Sequence, residues 1–292
     1  MIPSECILPN GSTSLQGLRS YVLIWIFLSP EGTMKTMIDD IRLFSSPEEM
    51  YKDALVFFQE RIRKHVVRQH RCSLALAGGS TPQPFYELLS KKELPWERVE
   101  VFWSDERCVP PDHEESNFHM AQITLLDRLK VSPASVHRMR GEISPPEKSA
   151  EDYEEEIQLW LEKWKKECGD IEGDREGQYL FDIVLLGMGK DGHTASLFPK
   201  AKTLEEKKHI ITVERNPQLP PKIPRITFTL EAIRRSREVI LLIQGREKVK
   251  VIESFMEEPL IEGTRDRKTQ DPHYPASMVW GMEGTYWFIC RD

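Results

Sequence analysis

The sequence is poor in the features that staple, span membranes or grip nucleic acid. Its five cysteines, at 6, 72, 108, 168 and 290, are odd in number, and no two stand at C-x-x-C or metal-ligand spacing. That favours free thiols in a reducing compartment over a disulfide framework. No basic stripe breaks a composition of 40 Lys and Arg against 47 Asp and Glu, a net charge of −7. Neither nucleic acid nor an anionic membrane is therefore expected as a partner. An anionic ligand would have to be met by a few placed cations, against the overall field. His113 and His119 have no carboxylate at metal-ligand spacing, so no metal site is expected. The apolar run Tyr21-Val-Leu-Ile-Trp-Ile-Phe-Leu28 is far too short to cross a bilayer as a helix. It could pass as a signal-peptide core, yet only Arg19 precedes it as a base and no small-residue cleavage site follows.

What is present reads as an α/β protein. Residues 1–36 are expected to be an N-terminal extension of unknown role, with Met34 and Met37 just before the first globular segment. Residues 37–292 are expected to form a single domain. From Ile38 onward strand-like and helix-like segments alternate, which implies right-handed βαβ units and a mostly parallel, Rossmann-like sheet flanked by helices. Ser46-Pro-Glu-Glu49 carries the signature of a helix start, and that helix is expected to run to Gln69. Strands are expected at Cys72–Ala77, Val99–Trp103, Phe181–Leu186, His209–Val213, Arg225–Leu230, Val239–Ile243 and Tyr286–Ile289. The last of these is expected to close the sheet. Further helices are expected at Gln83–Leu89, Glu114–Leu129, Glu147–Cys168 and Arg246–Met256, with a polar loop over Gly169–Gln178.

Four constellations carry chemistry. The loop Gly78-Gly79-Ser80-Thr81-Pro82 follows a strand and opens a helix. Its backbone N–H groups, hydroxyls and helix dipole could cradle a phosphate. It is neither a Walker loop nor a G-x-G-x-x-G loop, and a plain capped turn fits it equally well. Ser104-Asp105-Glu106-Arg107 leaves the next strand, and for Glu106 an ion pair with a helix cap is the simpler reading. The third stretch, Leu185 to Pro199, places Asp191 and His193 two apart on a glycine-bent backbone. A histidine there can take a proton near neutral pH while the carboxylate holds its tautomer. Such a loop favours a catalytic over a structural histidine. Arg225 and Lys248 each begin a strand or helix and could close on a phosphate. Taken singly, each is simply a surface charge.

In this order the pieces "LAGGSTP" (76–82), "WSDERCVPPDHEESN" (103–117), "GMGKDGHTASLFP" (187–199) and "RITFTL" (225–230) resemble the 6-phosphogluconolactonase family, related to glucosamine-6-phosphate deaminases. The resemblance runs from about residue 40 to the C-terminus, and the 187–199 segment is its most specific part. It implies a Rossmann-like α/β fold, no cofactor, and hydrolysis of the carboxylic ester in 6-phospho-D-glucono-1,5-lactone. That reaction belongs to the cytoplasmic oxidative pentose phosphate pathway, between glucose-6-phosphate dehydrogenase and 6-phosphogluconate dehydrogenase. By position, His193 resembles the family's general base and Arg107 its active-site arginine, with Asp191 and Asp105 orienting them. Gly78, Gly79, Ser80, Thr81, Arg225 and Lys248 fall where substrate phosphate would be held. Deaminases carry a segment similar to "DGHIAFNEP", whose glutamate before the proline is Phe198 here. Deamination of glucosamine 6-phosphate is the nearest alternative, and a non-catalytic sugar-phosphate sensor is another. Cys290 departs from the family pattern, standing where an acidic residue is expected.

Overall fold

The computed structural model describes residues 19–28, 34–129, 132, 135–168, 179–257 and 271–292. The expected polar loop over Gly169–Gln178 lies outside the described residues, as do residues 1–18 and 29–33 of the expected extension.

The chain opens with a strand, β1 (Arg19–Leu28), antiparallel to β2 (Met34–Phe44). The helix α1 (Pro47–Gln69) then begins where the sequence signals it. Ser46 accepts the Glu49 N–H, Pro47 opens the first turn, and Glu48 and Glu49 lie at the positive end of the helix dipole. His70, with φ 64°, ends the helix in the left-handed conformation. The buried strand β3 (Cys72–Leu76) leads through the glycine loop into α2 (Pro82–Leu89). Next come β4 (Val99–Trp103), the short strand β5 (Asp105–Arg107) and α3 (Asn117–Thr124). The long helix α4 (Pro146–Cys168) precedes β6 (Phe181–Leu186). The last third holds β7 (Ile211–Glu214), β8 (Arg225–Phe228), α5 (Leu230–Arg234), β9 (Ser236–Gln244), α6 (Arg246–Glu257) and β10 (Gly284–Cys290).

Six parallel strands form the main sheet in the order β2-β10-β9-β6-β3-β4, with β1 antiparallel at the β2 edge. Side chains alternate across it. Ile183, Leu185, Ile240, Leu242 and Phe288 pack with Phe57, Phe58 and Tyr86 of α1 and α2. Val184, Leu186, Val239, Leu241 and Trp287 pack on the other face with Ile157 and Trp160 of α4 and Ile233 of α5. Both faces are covered, as a parallel sheet requires. A one-residue slip would exchange the two cores, so the register is strongly held.

The structure departs from the sequence reading at several points. The strands near 211 and 225 do not join the main sheet. β7 and β8 pair antiparallel with β5 in a separate three-stranded sheet, and Thr229 ends β8 by capping α5. The helix expected over Glu114–Leu129 starts only at Asn117 and breaks at Leu125, followed by a 3-10 turn at Leu126–Arg128. Finally, β10 does not close the sheet but lies between β9 and β2. Its Cys290 is buried, and the Cys290 carbonyl accepts the Gly245 N–H ahead of α6.

Candidate active site

From β3 the chain steps outward to β4, then returns on the other side of β3 to lay down β6, β9 and β10. The strand order therefore reverses between β3 and β6. Ligands of open α/β sheets bind beyond the carboxyl ends of the strands at such a switch point. Every loop carrying a candidate residue leaves a carboxyl end here: Gly78–Thr81 after β3, Asp105–Arg107 after β4, Gly187–Phe198 after β6 and Gly245–Lys248 after β9. Arg225 arrives from β8, which pairs with β5 so that Arg225 faces Arg107 across the two strands.

These segments line one cleft. It brings together Gly78, Gly79, Ser80, Thr81, Asp105, Arg107, His193, Arg225 and Lys248. Asp191 stands behind His193. Its Oδ1 lies 2.5 Å from His193 Nδ1 and also accepts the His193 N–H. That contact commits Nδ1 to donation and leaves Nε2, which has no protein partner among the described residues, to work as a base. Burial pushes the Asp191 carboxyl up, but the hydrogen bond and charge of His193 outweigh this and hold it below its ordinary value.

The glycines are there for space. A Cβ on Gly189 would stand 2.2 Å from the His193 ring, and Gly192 adopts φ +83°. A side chain at Gly189 would displace the imidazole, and one at Gly192 would strain the left-handed backbone beside it and press on Tyr274. Gly187, Gly189 and Gly192 have G-x-G-x-x-G spacing, yet the chain continues in turns with no helix, so a dinucleotide site lacks its helix dipole. Ala195, which lines the cleft, is held at φ +47°. Strain of this kind in a non-glycine residue gathers at functional loops.

The cleft is cationic although the chain is acidic. Burial pushes the Arg225 guanidinium below its ordinary value; Asp105 opposes this and Arg107 adds to it. Burial likewise lowers Lys248, whose ammonium makes a long 3.5 Å contact with Thr81 Oγ1. Thr81 precedes α2 but its side chain makes no cap hydrogen bond, so the plain capped turn does not account for its hydroxyl. Like charges placed opposite each other on paired strands are destabilising, and an anion in the cleft would relieve Arg107 and Arg225 together.

A family model described as glucosamine-6-phosphate isomerases/6-phosphogluconolactonase matches residues 45–287. The chain belongs to this family. It is 37% identical over 212 residues to a 6-phosphogluconolactonase of Synechocystis, covering 73% of this chain and 82% of the relative. With that of Thermotoga maritima it shares 34% identity over 243 residues, 83% of this chain and 95% of the relative. The Thermotoga maritima 6-phosphogluconolactonase crystal structure superposes with a TM-score of 0.69 at 31% identity, covering 86% of this chain and 99% of that one.

Within the family frame, several groups escaped the sequence reading because they act through space. Arg107 Nη1 donates to the Glu115 carbonyl at 2.6 Å and to its carboxylate at 3.3 Å. The orienting of Arg107 thus falls to Glu115 in this geometry. Asp105 accepts from Ser196 Oγ at 2.6 Å and from Asn117 Nδ2 at 3.1 Å. Asn117 in turn fills the space where a Gly78 side chain would be, its Oδ1 lying 1.8 Å from the Cβ position. Glu106 is buried and accepts the N–H groups of Asn117 and Phe118 together with the Ser116 hydroxyl, the cap expected for it. The His113 ring accepts the Glu115 N–H. Among the described residues no group of three or more His, Cys, Asp or Glu could hold a metal ion. Among the described residues no helix is long and apolar enough to cross a membrane.

Proposed function

We propose that this chain hydrolyses 6-phospho-D-glucono-1,5-lactone to 6-phosphogluconate, in line with its 6-phosphogluconolactonase relatives. The observation that carries the reading is His193, fixed by Asp191 at Nδ1 and open at Nε2, in a cleft that also holds Arg107, Arg225 and Lys248. His193 takes a proton from water as the oxygen attacks the lactone carbonyl. Arg107, held by Glu115, faces the oxyanion that forms. The imidazolium, steadied by the Asp191 carboxylate, then returns its proton to the departing ring oxygen. The C1–O bond of the ring breaks and the acid is released.

The phosphate is met by the Gly78–Thr81 loop at the start of α2, by Lys248 and by Arg225, which hold the lactone in register. Asp105 contributes by tying the His193 loop, through Ser196, to Asn117 beneath the glycine loop. The substrate would be supplied by oxidation of a sugar phosphate at C1, as by glucose-6-phosphate dehydrogenase, and the acid passed to 6-phosphogluconate dehydrogenase. His193→Asn tests the reading. It should preserve substrate binding and lower kcat by about two to four orders of magnitude, measured against an enzyme-free blank at each pH. A variant within about tenfold of the native rate would place the base elsewhere.

A further inference from the structure

Five residues beyond His193 on the same loop, Phe198 is fully buried. Its ring centroid lies 4.5 Å from that of the His193 imidazole at a 35° tilt, and the Arg225 guanidinium carbon lies 5.5 Å from it, over the ring. One apolar side chain therefore touches both the proton-transfer end of the cleft and its anion-binding end.

The Arg225 environment makes this contact consequential. Arg225 is 4% exposed. Among the described residues, its guanidinium has one hydrogen bond, from Nη2 to the Pro221 carbonyl at 3.3 Å, while Nε is buried without a partner. Asp105, Glu115 and Glu214 act on Arg225 from beyond ion-pair distance, and a buried charge without a directly paired carboxylate is costly; the face of an aromatic ring is the one apolar surface that attracts a cation, out to about 6 Å from its centroid. A carboxylate at this position would neutralise Arg225 and compete with an incoming anion. The phenyl ring supports the charge and leaves it available. Toward His193 the same ring is a wall, limiting rotation of the imidazole away from Asp191.

We propose that Phe198 is a positioning residue of this cleft, acting through Arg225 on anion affinity and through His193 on turnover. This rests on the lactonase reading above. The pairing is maintained by the loop itself, where turns join the Leu197 N–H to the Thr194 carbonyl and the Ala201 N–H to the Phe198 carbonyl.

A double-mutant cycle on the full chain separates this role from ordinary core packing. Binding of 6-phosphogluconate is measured by calorimetry for the native chain, Phe198→Leu, Arg225→Ala and the double variant, alongside kcat and melting temperature. Phe198→Leu should weaken binding about five- to tenfold in the native background, and by less than about twofold once Arg225 is gone. It should also lower kcat. Replacing Phe198 by 3,4,5-trifluorophenylalanine, which keeps the shape but cancels the ring's negative face, covers the case in which the leucine variant fails to fold. That replacement should weaken binding as leucine does, yet keep kcat within about twofold, because the wall beside His193 is intact. Equal losses in both backgrounds, or a fluorinated ring that binds as the native one does, would overturn the proposal. Should the native chain bind no 6-phosphogluconate, the lactonase reading fails. The imidazole then decides on its own: proton–nitrogen spectra should show the His193 Nδ1–H bond to Asp191 in the native chain and its loss in Phe198→Leu, and an unchanged signal overturns the role.

Discussion

Asp191→Asn removes one charge and almost no volume, and its consequence can be worked from the geometry. In the native cleft the carboxylate faces His193 Nδ1 at 2.5 Å, half-buried in the loop. When His193 becomes an imidazolium, the two charge centres lie roughly 4 Å apart, worth about 4 kcal/mol at the effective dielectric of a site near the surface. The asparagine amide returns little of that. It can also donate to Nδ1 and so hold the tautomer with Nδ1 as acceptor, which would leave no lone pair at Nε2. The variant should therefore lose about three orders of magnitude in kcat, with KM changed little because Asp191 does not line the cleft. The assay is acid release from freshly made lactone, coupled to oxidation of the product and corrected for spontaneous hydrolysis. Because the Asp191 carboxyl is held below its ordinary value by His193, it stays ionised to lower pH than an ordinary aspartate. A variant within about tenfold of the native kcat would refute the assignment of Asp191 as the partner of the base.

A chain beginning at Met34 should keep its activity. β1 pairs with β2 alone, at the sheet edge farthest from the cleft, and the family match begins at residue 45; activity and sedimentation of the shortened chain check this. Arg237→Met, at the opposite end of β9, should cost about 3–5 kcal/mol in urea unfolding. Arg237 is 1% exposed and bridges Asp182 at 3.2 Å and Glu283 at 2.7 Å, so its loss takes the guanidinium from the buried Asp182 carboxylate, while the half-buried Glu283 keeps Arg68 and Lys64. The same contact governs acid stability. Burial raises the Glu283 carboxyl, but Arg237 outweighs this and brings it down to about 2. A depressed carboxylate contributes stability above its unfolded pKa, roughly 4.3. That contribution should drain away as pH falls from there toward 2 and be smaller in Arg237→Met, where Arg68 and Lys64 still face Glu283, which melting temperatures against pH would show.

How much of this was legible in the sequence depended on whether the signal was local. α1 was readable because Ser46, Pro47 and the two glutamates carry a cap, a fixed φ and a dipole preference within four residues. β6 and β9 were readable as apolar runs because parallel strands are buried on both faces. The small sheet was not. β5 has three residues, all of them charged types and one a capping glutamate, and only its pairing with β8 makes it a strand. Strand order was also beyond reach, since β10 enters between β9 and β2 through contacts with no sequence periodicity. In the cleft, His193 and Asp191 announced themselves by proximity and by glycine. Glu115, Ser196 and Asn117 did not, because each meets its partner only after the loops converge. Phe198 was visible for its identity and not for its contacts, which depend on where β8 brings Arg225.

The most direct test is turnover by the full chain on two lactones and one amino sugar at low substrate concentration. Hydrolysis of 6-phosphogluconolactone should run well above the blank, unphosphorylated gluconolactone should be a much poorer substrate, and glucosamine 6-phosphate should release no ammonia. Hydrolysis no faster than the blank, or ammonia release at a comparable rate, would contradict the central claim. Equal rates on both lactones would show that Arg225, Lys248 and the Gly78–Thr81 loop are not there for a phosphate.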